Sequence, residues 1–313
     1  MIDLAIIIVT WHVRDMVLDA LQTLYADLEQ THLSTQVIVV DNASNDGTVE
    51  AIRVQFPQVD VIPSAENLGF GRANNVGMEH LGFGSDTSMD DLPKAVYLLN
   101  PDTLTELGAT QALYDSLMAD ARNGLVGARM TYGDGRFQHS AFAFPSLRQL
   151  WVEFFPTPGR FIEGRFNGRY PQALYNGKQA FEVDFMLGAT MMLRREVIQQ
   201  TGMFDEQFFV YSEEVDWQWR IRKAGWRILC VPNAHIVHLV GQSTSQAKAK
   251  SVLYLWESRL KLFKKHYPTW KLILAKRLIV LGMNRKIQQA RHDNFSNDII
   301  GTYQTVQEMA QSS

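Results

Sequence analysis

The chain has 313 residues, 46% of them hydrophobic and 20% charged, with 21 Gly and 10 Pro, a balance that excludes collagen-like and disordered chains. Cys230 is the only cysteine, so neither an intrachain disulfide nor a cysteine-based zinc cluster can form. The net charge of −3 hides an asymmetry, because residues 245–313 carry +8 and the remainder −11; an acidic body with a basic tail implies different partners for the two parts.

The first half alternates strand-like and helix-like stretches. Leu4 to Thr10 is an apolar, β-branched run without a basic leader or a small-residue cleavage site, so it reads as a buried strand rather than a signal peptide. It is far short of the ~20 residues of a membrane span, and no other uncharged stretch reaches that length. Val17 to Leu28 has helical periodicity, and Gln36 to Val40 is a second strand followed by a turn at Asn45-Asp46-Gly47. Thr48 is a good N-cap for a helix through Phe56. Val59 to Ile62 is a third strand, Gly71 to Leu81 a third helix, and Gly82 to Pro93 a surface loop. Ala95 to Leu99 is a fourth strand, and a helix is expected after Pro101-Asp102. This alternation predicts an α/β fold with a mostly parallel central sheet flanked by helices. Such sheets bind ligands beyond the carboxyl ends of their strands, near a switch in strand order.

The second half is less regular. Phe154 to Phe181 holds aromatics and glycines with little periodicity and reads as a long loop region of the kind that often carries function. Beyond Ser251 the pattern is helical, with Val252, Trp256, Leu260, Phe263 and Tyr267 on one stripe.

Several residues at these positions could carry chemistry. Asp41 follows the second strand, where a carboxylate can accept hydrogen bonds from a base or ribose, or simply form a turn. The segment from Glu66 to Asn75 puts two glycines and Arg72 at a helix start, which suits an anionic group. Asp102, with Asn100 beside it, can hold Mg²⁺ or Mn²⁺ while substrate phosphates supply other ligands, or can cap a helix. Tyr211 to Arg220 clusters Glu213, Glu214 and Asp216 in the first turns of a helix, favoured there by the dipole. Asp216 and Arg220 can pair at i,i+4. The adjacent glutamates beside Trp217 and Trp219 also look like a general base set in a sugar-sized pocket. His235 and His238 follow a strand ending at Val231; His238, with Gly241, Ser243 and Thr244 after it, could complete a divalent site or sit in the core.

Taken together, these segments resemble an inverting family 2 glycosyltransferase of the GT-A (Rossmann-like) fold, rhamnosyltransferase-like branch. The matching stretches are Ile7–Thr10, Val39–Thr48, Asn67–Asn75, Leu99–Thr103, Gly188-Ala189, Gly202–Glu206, Phe209–Asp216 and 238–244, in family order over about 240 residues. The resemblance implies a nucleotide site at Thr10, Asp41, Asn67, Arg72 and Asn100. It implies a metal site at Asp102 and His238, with Asn100 replacing the first acid of the family's Asp-X-Asp. Glu214 stands where the family has the Asp of its Glu-Asp pair, the catalytic base, and Glu213 is its rival. Gly188, Ala189, Asp216 and Trp217 would line the sugar or acceptor pocket. The donor would be a nucleoside-diphosphate sugar (dTDP- or UDP-linked, L-rhamnose among the sugars), with Mg²⁺ or Mn²⁺ as cofactor. The acceptor would be a glycan or a polyprenyl-diphosphate-linked sugar in cell-surface polysaccharide synthesis.

The expected organisation is a catalytic domain over 1–244 and a basic amphipathic helical extension over 245–313. Basic residues interleaved with Trp256, Phe263, Tyr267, Trp270, Leu274, Leu278 and Leu281 suit anionic lipid headgroups, which predicts a cytoplasmic enzyme peripheral on the membrane. The acidic body argues against nucleic acid. Two other readings compete: a sugar-phosphate nucleotidyltransferase, which wants a glycine that Thr10-Trp-His-Val-Arg14 lacks, and a non-catalytic sugar-nucleotide-binding protein.

Overall fold

The computed structural model describes residues 2–239 and 248–312. The expectations for Gly241, Ser243 and Thr244, and the boundary between 244 and 245, lie outside the described residues. The first half runs β1 (Leu4–Thr10), α1 (Arg14–Leu28), β2 (Thr35–Asp41), α2 (Thr48–Gln55), β3 (Asp60–Pro63), α3 (Phe70–His80), β4 (Ala95–Leu99), β5 (Thr103–Thr105) and α4 (Ala109–Met118). There follow β6 (Asn123–Tyr132), β7 (Phe137–Gln138), β8 (Ala141–Phe142), α5 (Leu147–Phe154), α6 (Gly159–Ile162), a 3₁₀ turn at Arg165–Asn167 and α7 (Gln172–Tyr175). The chain continues through β9 (Phe181–Glu182), β10 (Phe185–Met186), β11 (Thr190–Arg194), α8 (Arg195–Thr201), α9 (Glu213–Lys223) and β12 (Arg227–His238). It ends in α10 (Lys248–His266), α11 (Thr269–His292) and α12 (Asn297–Ser312).

The central sheet has the order β3-β2-β1-β4-β11-β6-β12-β5. β3, β2, β1 and β4 are parallel, β12 is parallel to β6, and β11 and β5 run antiparallel to their neighbours. Both faces are covered, which is why the early strands read as unbroken apolar runs. Ile7, Val9, Ile38 and Val40 face α3, α8 and α9, whereas Ile6, Ile8, Val37 and Val39 face α1, α2 and α4. Strand order reverses at β1, placing the ligand crevice at the ends of β1, β2 and β4.

Two local expectations need correction. Thr48 is the first helical residue rather than the N-cap: the Asp46 carboxylate takes its N–H at 3.3 Å and its hydroxyl at 2.5 Å. The helix expected directly after Pro101-Asp102 is preceded by β5, which pairs with β12. It begins at Ala109, where the buried Asp27 carboxylate accepts the N–H groups of Gly108 and Thr110.

The three last helices share an apolar core with α5. Trp256, Leu260, Phe263, Ala275, Ile279, Met283, Val306 and Ala310 pack around Leu150 and Phe154. Gly282 permits the contact, since a Cβ there would come within 2.1 Å of the Phe154 ring. Trp256 and Phe263 thus face inward, while Trp270, Ile273, Leu274 and Leu281 remain exposed along α11. Among the described residues no helix is long and apolar enough to cross a membrane.

Candidate active site

β1 delivers Thr10 to the carboxyl edge of the sheet opposite Asp41 of β2. Thr10 is fully buried and its hydroxyl has no hydrogen-bond partner. Asp41 accepts the Ser44 N–H at 2.9 Å through one oxygen and keeps the other buried and unpartnered. The two loops here are tied together: His12 donates its N–H to Ser44 Oγ at 3.0 Å, and its Nδ1 accepts the Asn45 N–H at 3.3 Å. His12 (φ 51°) and Ala43 (φ 64°) sit in the left-handed region, where a residue with a Cβ is strained, a feature that clusters at ligand sites.

Asn42 reaches the next loop. It accepts the Leu68 N–H at 2.8 Å and donates to Asn67 Oδ1 at 3.0 Å and to the Gly69 carbonyl at 3.1 Å. Asn67 Oδ1 also takes the Gly69 N–H, so Asn67 shapes the turn. Gly69 has φ 78°, and a Cβ there would lie 2.2 Å from the Phe209 carbonyl oxygen; the Phe70 N–H donates to that same oxygen at 3.1 Å. Arg72 is held by Glu79 at 2.6 Å and Glu206 at 3.2 Å. Sequence reasoning missed His12 and Asn42, whose only signal was their position just beyond a buried strand.

At the end of β4, Asp102 and His238 meet across the β5–β12 ladder, Oδ1 to Nε2 at 3.4 Å. Both are almost fully buried. Gln138 lies 3.1 Å from His238 Nδ1 and fixes the ring so that Nε2 faces the aspartate. Asn100 Oδ1 is buried without a partner, and the Asn100 N–H donates to the Ala189 carbonyl at 3.0 Å. Among the described residues no group of three His, Cys, Asp or Glu could enclose a metal. A carboxylate, an imidazole and an orphaned amide oxygen at one strand end nevertheless fit a hard divalent cation that takes its remaining ligands from phosphate and water.

Gly188-Ala189 carries this cluster to α9. A Cβ on Gly188 would touch Glu214 Cγ at 3.4 Å, and one on Gly71 would touch Glu213 Cβ at 3.6 Å. Glu213 is buried and Glu214 half-buried, and each leaves a buried Oε2 without a partner. Burial pushes the Glu213 carboxyl well above the ordinary range, and the neighbouring Glu214 charge adds to the rise. Burial raises Glu214 as well, but the backbone amides of Glu214, Val215 and Ser212 oppose it. Of the two, Glu214 is therefore the more readily ionised.

Asp216 and Trp217 go elsewhere than the expected sugar pocket. Trp217 is fully buried in the core, edge-on to Phe204 at 4.6 Å, with its N–H on Thr201 Oγ1 at 3.0 Å. Trp219 stacks on Phe144 and His266. The side chain of Asp216 is sealed from solvent among Arg220 (3.0 Å), Lys265 (2.7 Å) and His266 (2.7 Å). It joins α9 to α10. The same helix grips the loop that leads into the glutamates: Ser258 Oγ donates to the Val210 carbonyl at 2.9 Å, Lys261 to the Gln207 carbonyl at 2.8 Å, and Lys265 pairs with Asp205. Within that loop Tyr211 (φ 69°) and Ser212 (φ 65°) are both left-handed. His235, the other histidine considered, pairs with Glu106 at 2.8 Å.

Comparison with known proteins shows the family and the fold. The family described as glycosyltransferase like family 2 matches residues 3–253. N-acetylglucosaminyl-diphospho-decaprenol L-rhamnosyltransferase of Mycobacterium tuberculosis is 31% identical over 225 residues, 70% of this chain and 71% of that protein. Rhamnosyltransferase WbbL of Escherichia coli is 26% identical over 239 residues, 74% of this chain and 82% of its own. Among solved structures, the mannosyltransferase PcManGT of Pyrobaculum calidifontis with GDP-Man and Mn²⁺ matches with a TM-score of 0.54 at 16% identity, covering 99% of this chain and 84% of that one. GalNAc-T7 with UDP, GalNAc and Mn²⁺ matches with a TM-score of 0.55 at 13% identity, covering 76% of this chain but 43% of that longer one. At these identities the two structures speak for the fold, that of GT-A glycosyltransferases, as the family resemblance implied. The family match spans most of the length and the relatives above align across the same body, so the chain belongs to the glycosyltransferase-like family 2.

Proposed function

We propose that the chain transfers a deoxyhexose, L-rhamnose, from a nucleoside-diphosphate donor to a hydroxyl of a polyprenyl-diphosphate-linked sugar, with inversion at the anomeric carbon. The observation that carries this reading is the chain of neighbours Asp102/His238–Asn100–Ala189/Gly188–Glu214, which joins the strand ends to a carboxylate with a buried, unpartnered oxygen. Two rhamnosyltransferases among the relatives, one named for a diphospho-decaprenol-linked sugar, support the choice of donor and acceptor.

In this reading Thr10 and Asp41 offer the base and ribose their unpartnered buried oxygens, and Asn67 and Arg72 shape the adjoining turn. Asp102 and His238, with Asn100 beside them, would hold Mg²⁺ or Mn²⁺. Such an ion offsets the charge developing on the leaving diphosphate, worth several kcal/mol. Glu214 accepts the proton of the acceptor hydroxyl as that oxygen bonds to the anomeric carbon. The bond from that carbon to the diphosphate oxygen breaks, and the nucleoside diphosphate leaves with the electron pair. Burial and the Glu214 charge both oppose ionisation of Glu213, so a second negative charge beside Glu214 is disfavoured. Mn²⁺-dependent release of nucleoside diphosphate, followed over a panel of donor sugars with and without acceptor, tests the proposal. Tight nucleotide binding with no turnover on any donor would favour the non-catalytic reading.

The enzyme works as a peripheral protein at the cytoplasmic face of a bilayer. The exposed Trp270, Ile273, Leu274 and Leu281 of α11 alternate with basic residues, Arg277 among them, and such a face suits anionic headgroups. Co-sedimentation with vesicles should depend on phosphatidylglycerol and weaken with salt; binding indifferent to both would remove the membrane contact.

A further inference from the structure

Two cavities flank the segment that the sequence leaves without a pattern. The first, about 530 Å³, borders the active site: Gln138, which orients His238, and Leu187, which precedes Gly188, line it together with Tyr132, Phe142, His139 and Arg169. The second, about 590 Å³, is lined by Arg148, Arg160 and Arg165 together with Phe161, Tyr170 and Asp184. They adjoin along the chain, since Glu163 and Arg169 line the first and their neighbours Gly164 and Tyr170 the second.

The three arginines come from three different elements, α5, α6 and the 3₁₀ turn. Each guanidinium lies over an aromatic ring: Arg148 over Phe166 at 5.9 Å, Arg160 over Phe161 at 4.9 Å, and Arg165 over Tyr170 at 5.1 Å. A ring against one guanidinium face restrains the side chain and leaves its N–H edge available, although Arg165 also reaches the Tyr170 hydroxyl. None of the three has an ion pair among the described residues, whereas Arg169 in the adjoining cavity is paired to Glu163 at 2.5 Å. The one acid lining the arginine cavity, Asp184, accepts the Phe144 N–H through one carboxylate oxygen at 3.0 Å. Three planar donors around one opening match the several oxygens of a diphosphate.

Position and surroundings narrow the ligand. Asp184 is four residues from Gly188, so its backbone lies at most about 14 Å from the glycine that packs on Glu214. That is the reach of one sugar and its phosphate linkage. On the outer side, Trp151 shares a face of α5 with Arg148 at i,i+3, and Trp151 and Phe161 are exposed aromatics. Resting on the acceptor assignment above, we propose that the acceptor sugar occupies the first cavity and that Arg148, Arg160 and Arg165 bind its diphosphate, with the prenyl chain leaving past Phe161 and Trp151.

Calorimetric titration of the full chain with geranyl diphosphate tests this, with Mn²⁺ and nucleoside diphosphate saturating the donor site. Binding should persist under that saturation, fail with geraniol, and weaken about tenfold or more in the R148Q/R160Q/R165Q variant. The single Arg160→Gln change, on an exposed side chain, should weaken it severalfold and guards against misfolding of the triple variant. Affinity unchanged in both variants, or abolished by nucleoside diphosphate, would overturn the assignment. So would variants that lose binding to phosphatidylglycerol vesicles but not to geranyl diphosphate, since the arginines would then be a headgroup contact. Failure of the glycosyltransferase reading shows separately, as absence of Mn²⁺-dependent nucleotide binding; a chain that binds nucleotide but not geranyl diphosphate overturns this inference alone.

Discussion

Two sets of acids lie within one turn of α9 and behave in opposite ways. Glu213 is buried and Glu214 half-buried, each with a buried oxygen lacking a partner. Asp216 is sealed from solvent but meets Arg220, Lys265 and His266. Burial is therefore no guide to function here; satisfaction is. A carboxylate surrounded by cations lowers its own energy and holds two helices together, whereas one left unpartnered in a dry site is costly and stays reactive. The divide extends to the strand ends, where Thr10, Asp41 and Asn100 keep unpartnered oxygens toward the crevice while Arg72 is neutralised by Glu79 and Glu206.

The most severe way to break the comparison is Glu214→Gln. It removes the base without changing the shape, so transfer should fall by about 10²–10⁴ while nucleotide affinity, read by calorimetry, stays at the wild-type level. Near-wild-type turnover would move the base to Glu213 or remove it altogether. Asp216→Asn should act on the fold instead. It leaves Arg220, Lys265 and the His266 ring around a neutral amide, and breaking a buried pair costs about 3–5 kcal/mol, visible as a lower denaturation midpoint. Its pH signature is specific. Burial would raise the Asp216 carboxyl, but His266, Lys265 and Arg220 outweigh it and hold the group at about 2. That stability is present above the ordinary aspartate range and lost as pH falls toward 2. The variant should lose this acid slope.

The sequence made one side of this comparison legible. β1, β2 and β4 are buried on both faces, so their apolar runs stood out, and the polar residue after each run was marked by position alone. Glu213 and Glu214 stood out as acids at a helix start. The joint at Asp216 could not be read, because its partners Lys265 and His266 lie 49 and 50 residues on and helical periodicity within α9 says nothing about α10. For the same reason the Trp217/Trp219 pair suggested a pocket. Residues two apart on a helix point to different sides, and one faces the core while the other faces α10. β5 escaped notice because a three-residue strand is defined by its partner β12, not by its own letters.

Glu213→Gln sharpens the comparison with the opposite sign. The Glu213 carboxyl is raised from the ordinary 4.5 by burial first and by Glu214 second. A raised acid contributes its full stability below the ordinary value and loses it as pH climbs toward the folded value. The variant should therefore be more stable than wild type at pH 7–8, by on the order of 1–2 kcal/mol, with the gain vanishing near pH 4. Three residues apart, Asp216 and Glu213 would then tilt the stability profile in opposite directions, which chemical denaturation at a series of pH values can resolve.

The smallest effect is expected where the two sets meet. Ser212 caps the helix that carries both, and its left-handed backbone suits glycine better than serine. Ser212→Gly relieves that strain but gives the unfolded chain more conformational freedom, so the net change in stability should stay within about 1 kcal/mol. Catalysis should respond more than stability does. The loop before Glu213 is held from outside by Ser258 on the Val210 carbonyl and by Lys261 on the Gln207 carbonyl, so freeing its backbone lets Glu214 wander from the acceptor. We expect kcat to fall while the nucleotide KM stays constant, and Ser258→Ala to do the same. If α10 and the strained turn act on one conformation, the double variant should lose less than the sum of the two. Full additivity would mean that the helix merely packs against the loop and that the partnered half of α9 has no hold on the unpartnered half.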